Sequence, residues 1–317
     1  GRFVLVRSSS PSVVPGQRDG GTSDDLFVVD RATGTAKLVS HTGDGVTPAT
    51  SLALLSSARI SGNGAIVVFV TERDLVPGFD NRGHRQVYRF DVVCGALCPL
   101  TRCASNASRG GNGDSFRVDI DTNGRVAALA SSATDLLAGF VDGGPGDAVF
   151  AYILGQNAPI LVSQDALDPD RGMTSSLSTA DVGEVVVSGS GERVAFVARA
   201  VNLVPGFQAP ASSPLPPGAL YVRNLTTGTT TLVSRAAGSV ATAAAGNALL
   251  IDTDFDGDRL AYVSAANDLV AGQNTPAPGS SQVYLFDEAT GTNQLVSRRG
   301  LDPQLAPSGI AGPPILS

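Results

Sequence analysis

Tryptophan is absent from this 317-residue chain, methionine occurs once, histidine twice and cysteine three times. Lys37 is the one lysine, and the formal net charge is −7. No basic stripe exists to track phosphates, which excludes nucleic acid and argues against acidic membrane surfaces. No uninterrupted apolar run reaches the roughly 18 residues of a membrane span. His41 and His84 stand far apart, and no Ser-His-Asp or Cys-His spacing surrounds either, so nucleophilic catalysis has no named player. The Gly-rich stretches Gly110-Gly-Asn-Gly113 and Gly143-Gly-Pro-Gly146 lack the Lys-Ser/Thr of a phosphate loop and read as connections. Charged residues make up only 16% of the chain.

What is present suits many short strands joined by turns: 42% hydrophobic residues, 37 glycines and 19 prolines. Five segments open on glycine and an apolar run, at Gly1, Gly64, Gly124, Gly191 and Gly257, spaced by 63, 60, 67 and 66 residues. Each is followed by a loop signpost: Ser12-Val-Val-Pro-Gly, Asp74-Leu-Val-Pro-Gly, Asp135-Leu-Leu-Ala-Gly, Asn202-Leu-Val-Pro-Gly and Asp268-Leu-Val-Ala-Gly. An alternating strand comes next, at Leu26 to Asp30, Val87 to Asp91, Val149 to Tyr152, Leu220 to Asn224 and Val283 to Asp287. The last signpost is a short strand ending in a hydroxyl, at Ser40, Thr101, Ser163, Ser234 and Ser297. Between these two strands sits a tight turn, clearest as Ala32-Thr-Gly-Thr35, Thr226-Thr-Gly-Thr229 and Ala289-Thr-Gly-Thr292. A further strand precedes four of the glycines, at Ala58 to Ser61, Phe116 to Asp121, Val185 to Ser188 and Leu249 to Asp252.

Each repeat is therefore four antiparallel strands. The expected fold is an all-β propeller of five four-stranded blades over one domain, 1–317, with repeats near 1–63, 64–123, 124–190, 191–256 and 257–317. The chain opens on a second strand and ends on Pro313-Pro-Ile-Leu-Ser317, which matches a first strand. That register predicts that the last strand completes the first blade and removes two open edges. The alternative is five repeats cut from a six- to eight-bladed ring. Gly1 runs straight into a strand with no signal peptide, so a longer parent protein is expected.

The signposts together resemble the TolB-like, or PD40, branch of WD40-like propeller repeats. The family's Ser-x-Asp-Gly turn looks like Ser61-Gly-Asn-Gly64, Asp121-Thr-Asn-Gly124, Ser188-Gly-Ser-Gly191 and Thr253 to Gly257. The resemblance covers essentially the whole chain and implies fold, not function. In this family the first strand of each blade lines the central channel, which implies an axial place for Arg59, Arg117 and Asp119. Peptidases with a related propeller carry a separate hydrolase domain with a Gly-x-Ser-x-Gly elbow, and that pentapeptide does not occur here.

Among residues able to carry chemistry, Asp252, Asp254 and Asp256 alternate ahead of Gly257, a spacing that can wrap calcium. Asp119, Asp121 and Asn123 form a weaker copy. The competing reading is a plain turn with solvated acids, since the same place elsewhere reads Ser61-Gly-Asn63 and Ser188-Gly-Ser190. No other cofactor is indicated. Asp74, Asp135, Asn202 and Asp268 recur at one repeat position, which suits side chains that bond backbone N–H groups in the following turn. Glu72, Glu184 and Glu192 show no glycosidase pairing. Cys94 and Cys98 flank a hairpin turn and are a disulfide candidate, leaving Cys103 over. His84 is a strand's length from them, which argues against zinc. A Cys–Cys bond would indicate an extracytoplasmic setting, whether periplasmic, cell-surface or secreted.

The expected function is a non-catalytic, protein-binding scaffold module of a bacterial envelope or secreted protein. Its loops at 16–24, 78–85, 139–146, 206–218 and 272–281 differ in sequence while the strands they join repeat. A multivalent glycan-binding propeller is the alternative, and a hydrolase acting at the channel mouth through a carboxylate such as Asp119 is a third.

Overall fold

A computed structural model describes residues 1–18, 24–48, 57–144, 146–174, 182–211, 216–274, 280–300, 302–307, 309 and 311–316. The loops expected at 16–24, 139–146, 206–218 and 272–281 thus lie partly outside the described residues. Every described regular element is a strand, as the β-branched, glycine-punctuated sequence dictates. No helix among the described residues is long and apolar enough to cross a membrane.

The first sheet orders β1 (Phe3–Ser8), β2 (Asp25–Asp30) and β3 (Thr35–Leu38). The second orders β4 (Ala58–Ile60), β5 (Ile66–Thr71), β6 (Gln86–Asp91) and β7 (Leu97–Pro99). A two-stranded sheet of β8 (Arg102–Cys103) and β9 (Asn106–Gly110) follows, which the repeat pattern does not announce. The next orders β10 (Ser115–Ile120), β11 (Val126–Ser131), β12 (Ala148–Ile153) and β13 (Ile160–Leu161). The last two are β14 (Val182–Val187), β15 (Arg193–Ala198), β16 (Ala219–Asn224) and β17 (Thr230–Leu232), then β18 (Ala248–Thr253), β19 (Arg259–Ser264), β20 (Gln282–Asp287) and β21 (Thr292–Leu295).

Two compact units divide the chain: Gly1–Phe140 with Phe150–Ile160, and Val141–Val149 with Leu161–Ser317. In the first, Leu26, Val28, Phe69, Tyr88 and Phe90 are buried between the faces of the first two sheets. β10 lies against β4 and β5. In the second, Val197, Leu220, Tyr262, Tyr284 and Phe286 fill the equivalent space, and β14 lies against β18. First strands of successive sheets are therefore neighbours within each unit. The first strands β10, β14 and β18 each carry a register shift, between Phe116 and Asp119, Val182 and Val185, and Leu249 and Asp252. Arg117 and Leu250 sit in these bulges at φ of 53° and 50°, a conformation unusual for residues with a Cβ.

Among the described residues four sheets have four strands and the first has three, where five four-stranded blades are expected. Residues 311–316 form no strand, and Leu316 N–H donates to Asp252 Oδ2 at 2.8 Å. Pro313 and Pro314 have no N–H to give a ladder.

Candidate functional site

The recurring side chains of the repeat are spent on backbone groups. In all five repeats the terminal hydroxyl accepts the N–H at the start of the preceding long strand: Ser40 from Leu26 (3.1 Å), Thr101 from Val87 (2.9 Å), Ser163 from Val149 (2.8 Å), Ser234 from Leu220 (2.8 Å) and Ser297 from Val283 (2.9 Å). This explains why a hydroxyl ends that strand every time. The loop acids work the same way over longer range. Asp74 accepts Asn81 N–H, whereas Asp135, Asn202 and Asp268 accept the N–H of Asn112, Thr174 and Ala245. Only Asp74 therefore bonds the following turn, as expected of all four. The other three reach back to the connection entering their own sheet's first strand.

The calcium candidates sit in a turn with a similar division of labour. Asp121 Oδ1 accepts Val126 N–H at 2.9 Å and Asp254 Oδ1 accepts Arg259 N–H at 3.3 Å, each five residues on. Ser61 and Ser188 make the same bond through hydroxyls, to Ile66 and Arg193. The acid thus replaces a serine as a turn acceptor. Asp252 holds Leu316, Asp119 faces Arg59 at 3.6 Å, and Asp256 and Asn123 offer their carbonyls to Arg193 and Asn63. Among the described residues, no three His, Cys, Asp or Glu side chains gather as a metal cluster. A hydrogen bond from Asp258 to Asp254 raises the Asp258 carboxyl above its ordinary value, with burial adding to the rise.

Cys94 and Cys98 are free thiols in this structure, the first exposed and the second half-buried. Cys94 sits in the turn closed by Asp91 and Ala96, and Cys98 lies two residues beyond Ala96 on β7, about 6.6 Å further along the strand. His84 is turned to Asp114, 3.5 Å away.

The arrangement that breaks the repeat lies one residue past the terminal hydroxyl, at His41, Arg102, Gln164 and Arg235. Arg235 lays its guanidinium over the ring of Phe286, 5.3 Å from the centroid, and donates to the Gly291 carbonyl in the neighbouring hairpin turn. His41 does the same in the first unit. Its ring meets Phe90 edge-on at 5.8 Å, Gly43 N–H donates to Nδ1, and the Gly95 backbone of the neighbouring turn lies close enough to favour its protonated form. Burial lowers the His41 pKa. Gly95 and Gly291 adopt φ of 75° and 64°, which presents their carbonyls in a turn few other residues form. At the Phe286-equivalent position of β16 stands Arg223, 7% exposed, which fills the space itself and donates to Thr230.

Arg102 departs from this pattern. It pairs with Gly110 eight residues on, as Arg235 pairs with Ala243, so the two occupy one register. Yet its guanidinium turns out to the carbonyls of Pro99 (3.0 Å) and Ala107 (3.4 Å). The neighbouring turn has changed as well: Gln156 N–H closes on the Ile153 carbonyl, and Asn157 stands where Gly95 and Gly291 stand. The socket is left as a cavity of about 590 Å³ inside the first unit, lined by Arg89, Arg102, Leu137, Tyr152 and Gln156 among others. Tyr152, on the ring position of Phe90 and Phe286, is 6% exposed, and its buried hydroxyl has no hydrogen-bond partner. Burial, with the charge of Asp135 added, pushes that phenol well above its usual range.

No protein-family model and no curated protein matches the chain. Solved structures do. An oligogalacturonate lyase from Vibrio parahaemolyticus aligns with a TM-score of 0.52 and 11% identity, over 93% of this chain and 62% of its own. An oligogalacturonate lyase in complex with manganese gives 0.50 and 11%, over 87% and 59%. TolB from Acinetobacter baumannii gives 0.43 and 12%, over 85% and 47%. The shared fold is the β-propeller. This chain spans less than two-thirds of each of these structures, and at such identity the likeness carries fold alone.

In propeller terms each four-stranded sheet is a blade, and the cavity is an interblade socket without its plug. Sequence reasoning missed it because it scored recurring residues rather than broken recurrence. The signal was the third repeat's Gly155-Gln-Asn-Ala-Pro159, where Asn157 replaces the turn glycine of its sisters while Arg102 keeps the spacing of Arg235.

Proposed function

We propose that this chain is a non-catalytic, protein-binding scaffold module, one propeller of a secreted or cell-envelope protein. The observation that carries the reading is the unplugged socket. A concave, partly apolar cavity of ligand-pocket size is framed by side chains whose repeats elsewhere are locked to the backbone. A rigid frame with one vacated position suits capture of a partner's projecting side chain better than chemistry on a substrate.

Selection from a library of random twelve-residue peptides tests this. Ala138, exposed at the cavity, is replaced by Trp to block it. Peptides that bind the native chain and lose at least tenfold against Ala138→Trp support the reading. Two outcomes sink it. One is binding on a glycan array with no cavity-dependent peptide. The other is release of unsaturated ends from oligogalacturonate, the chemistry named for the lyases.

A further inference from the structure

The charge in the lining of the socket is one-sided. Arg89 on β6 and Arg102 on β8 both line it, and its lining contains no Asp or Glu. Arg102 is satisfied by backbone carbonyls alone. Arg89 lies near enough to Asp91 to lower that carboxyl, but the two form no ion pair. Two guanidinium groups line one cavity and neither is held in an ion pair, a setting that favours an anion between them. The Tyr152 ring on the wall carries a hydroxyl without a partner, which in a native interior calls for an explanation. Apolar walls at Leu100, Leu137 and Ile153 complete the space.

The sister sockets sharpen the point. Where Phe286 and Phe90 form the floor, a side chain of the same chain fills the space, cationic in Arg235 and aromatic in His41. At the Tyr152 socket the residue at the plug position, Arg102, lines the cavity while its guanidinium bonds the Pro99 and Ala107 carbonyls. Resting on the protein-binding reading above, we infer that this cavity takes a carboxylate carried on an apolar body, clamped by Arg89 and Arg102. An acidic side chain flanked by leucine and a free aryl-alkyl carboxylic acid share this chemistry.

Three probes with one body decide the charge: 3-phenylpropionate, 3-phenylpropionamide and 3-phenylpropylamine, each titrated into the full chain by calorimetry. The acid is expected to bind at least tenfold more tightly than the amide, because the charge-assisted bidentate contact exists only for the carboxylate. Arg102→Gln and Arg89→Gln each weaken the acid about fivefold to tenfold and leave the amide unchanged, with melting temperature checking the fold. Arg102→Glu turns the preference toward the amine. Equal binding of acid and amide, preference of the native chain for the amine, or no effect of either Gln variant overturns the inference.

The source is settled with Ac-Ala-Leu-Glu-Leu-Ala-NH2 and its Gln counterpart. Binding of the Glu peptide that Ala138→Trp abolishes assigns the carboxylate to a partner side chain. Binding of phenylpropionate alone keeps the anion chemistry and overturns the protein-binding reading. Cavity-dependent library peptides without an acidic residue do the reverse.

Discussion

Arg102 and Arg235 hold the same register position, eight residues before Gly110 and Ala243, but only Arg235 reaches across to an aromatic ring. Stacking on Phe286 and the bond to Gly291 stabilise by about 1–3 kcal/mol in sum. Arg235→Ala is therefore expected to lower the unfolding free energy from urea titration by that amount, while Arg102→Ala stays within about 0.5 kcal/mol. Equal losses would show that Arg102 plugs its socket in solution.

His41 gives the matching pH dependence. Burial depresses its folded pKa below the unfolded value of about 6.5, so the unfolded chain takes up the proton first. The stability this adds is complete above pH 6.5 and is lost as pH falls through the folded pKa. Stability followed from pH 8 to pH 5 should decline for the native chain, and the decline should shrink in His41→Gln. A parallel pH profile in the variant would fault the buried, neutral imidazole.

The acidic turn separates capping from metal binding. Ser61 and Ser188 show that a hydroxyl serves at the Asp254 position, so Asp254→Ser is expected to keep stability within about 0.5 kcal/mol, whereas Asp254→Ala loses about 1 kcal/mol. The raised Asp258 carboxyl adds a pH signature. With its folded pKa above the unfolded one, the native state favours the proton, and that contribution fades as pH rises through the folded value. Asp254→Ser should abolish that slope. A melting temperature that rises with calcium in the native chain and not in Asp254→Ser would instead restore the metal reading for Asp252, Asp254 and Asp256.

How much of this was legible follows from what each feature depends on. The strands are local: apolar alternation at Val283 to Asp287 and a Thr-Gly turn at 290–291 specify β20, its hairpin and its face without distant help. The terminal hydroxyls were visible as a recurrence, and the structure supplied only their reason. The strand expected at Pro313 to Ser317 rests on an apolar pattern alone, and described residues 313–316 are in no strand, where two prolines offer no N–H. The socket depends on a side-chain rotamer at Arg102 and a turn fifty residues away, two facts that meet only in three dimensions.

Tyr152 and Tyr88 offer the sharpest test of the socket, because both are buried phenols with opposite bookkeeping. Tyr88 donates to the Arg73 carbonyl at 3.1 Å or Asn81 Oδ1 at 2.7 Å, so Tyr88→Phe strands buried acceptors and is expected to cost about 1–2 kcal/mol. Tyr152 has no such bond to lose. Tyr152→Phe keeps the ring, restores the residue found at Phe90 and Phe286, and removes an unsatisfied hydroxyl. It should leave stability unchanged or raise it by up to about 1 kcal/mol. Equilibrium unfolding of both variants checks the pair. A loss at Tyr152 as large as at Tyr88 means the hydroxyl is already satisfied in the free protein, and the socket then has one less reason to recruit a ligand.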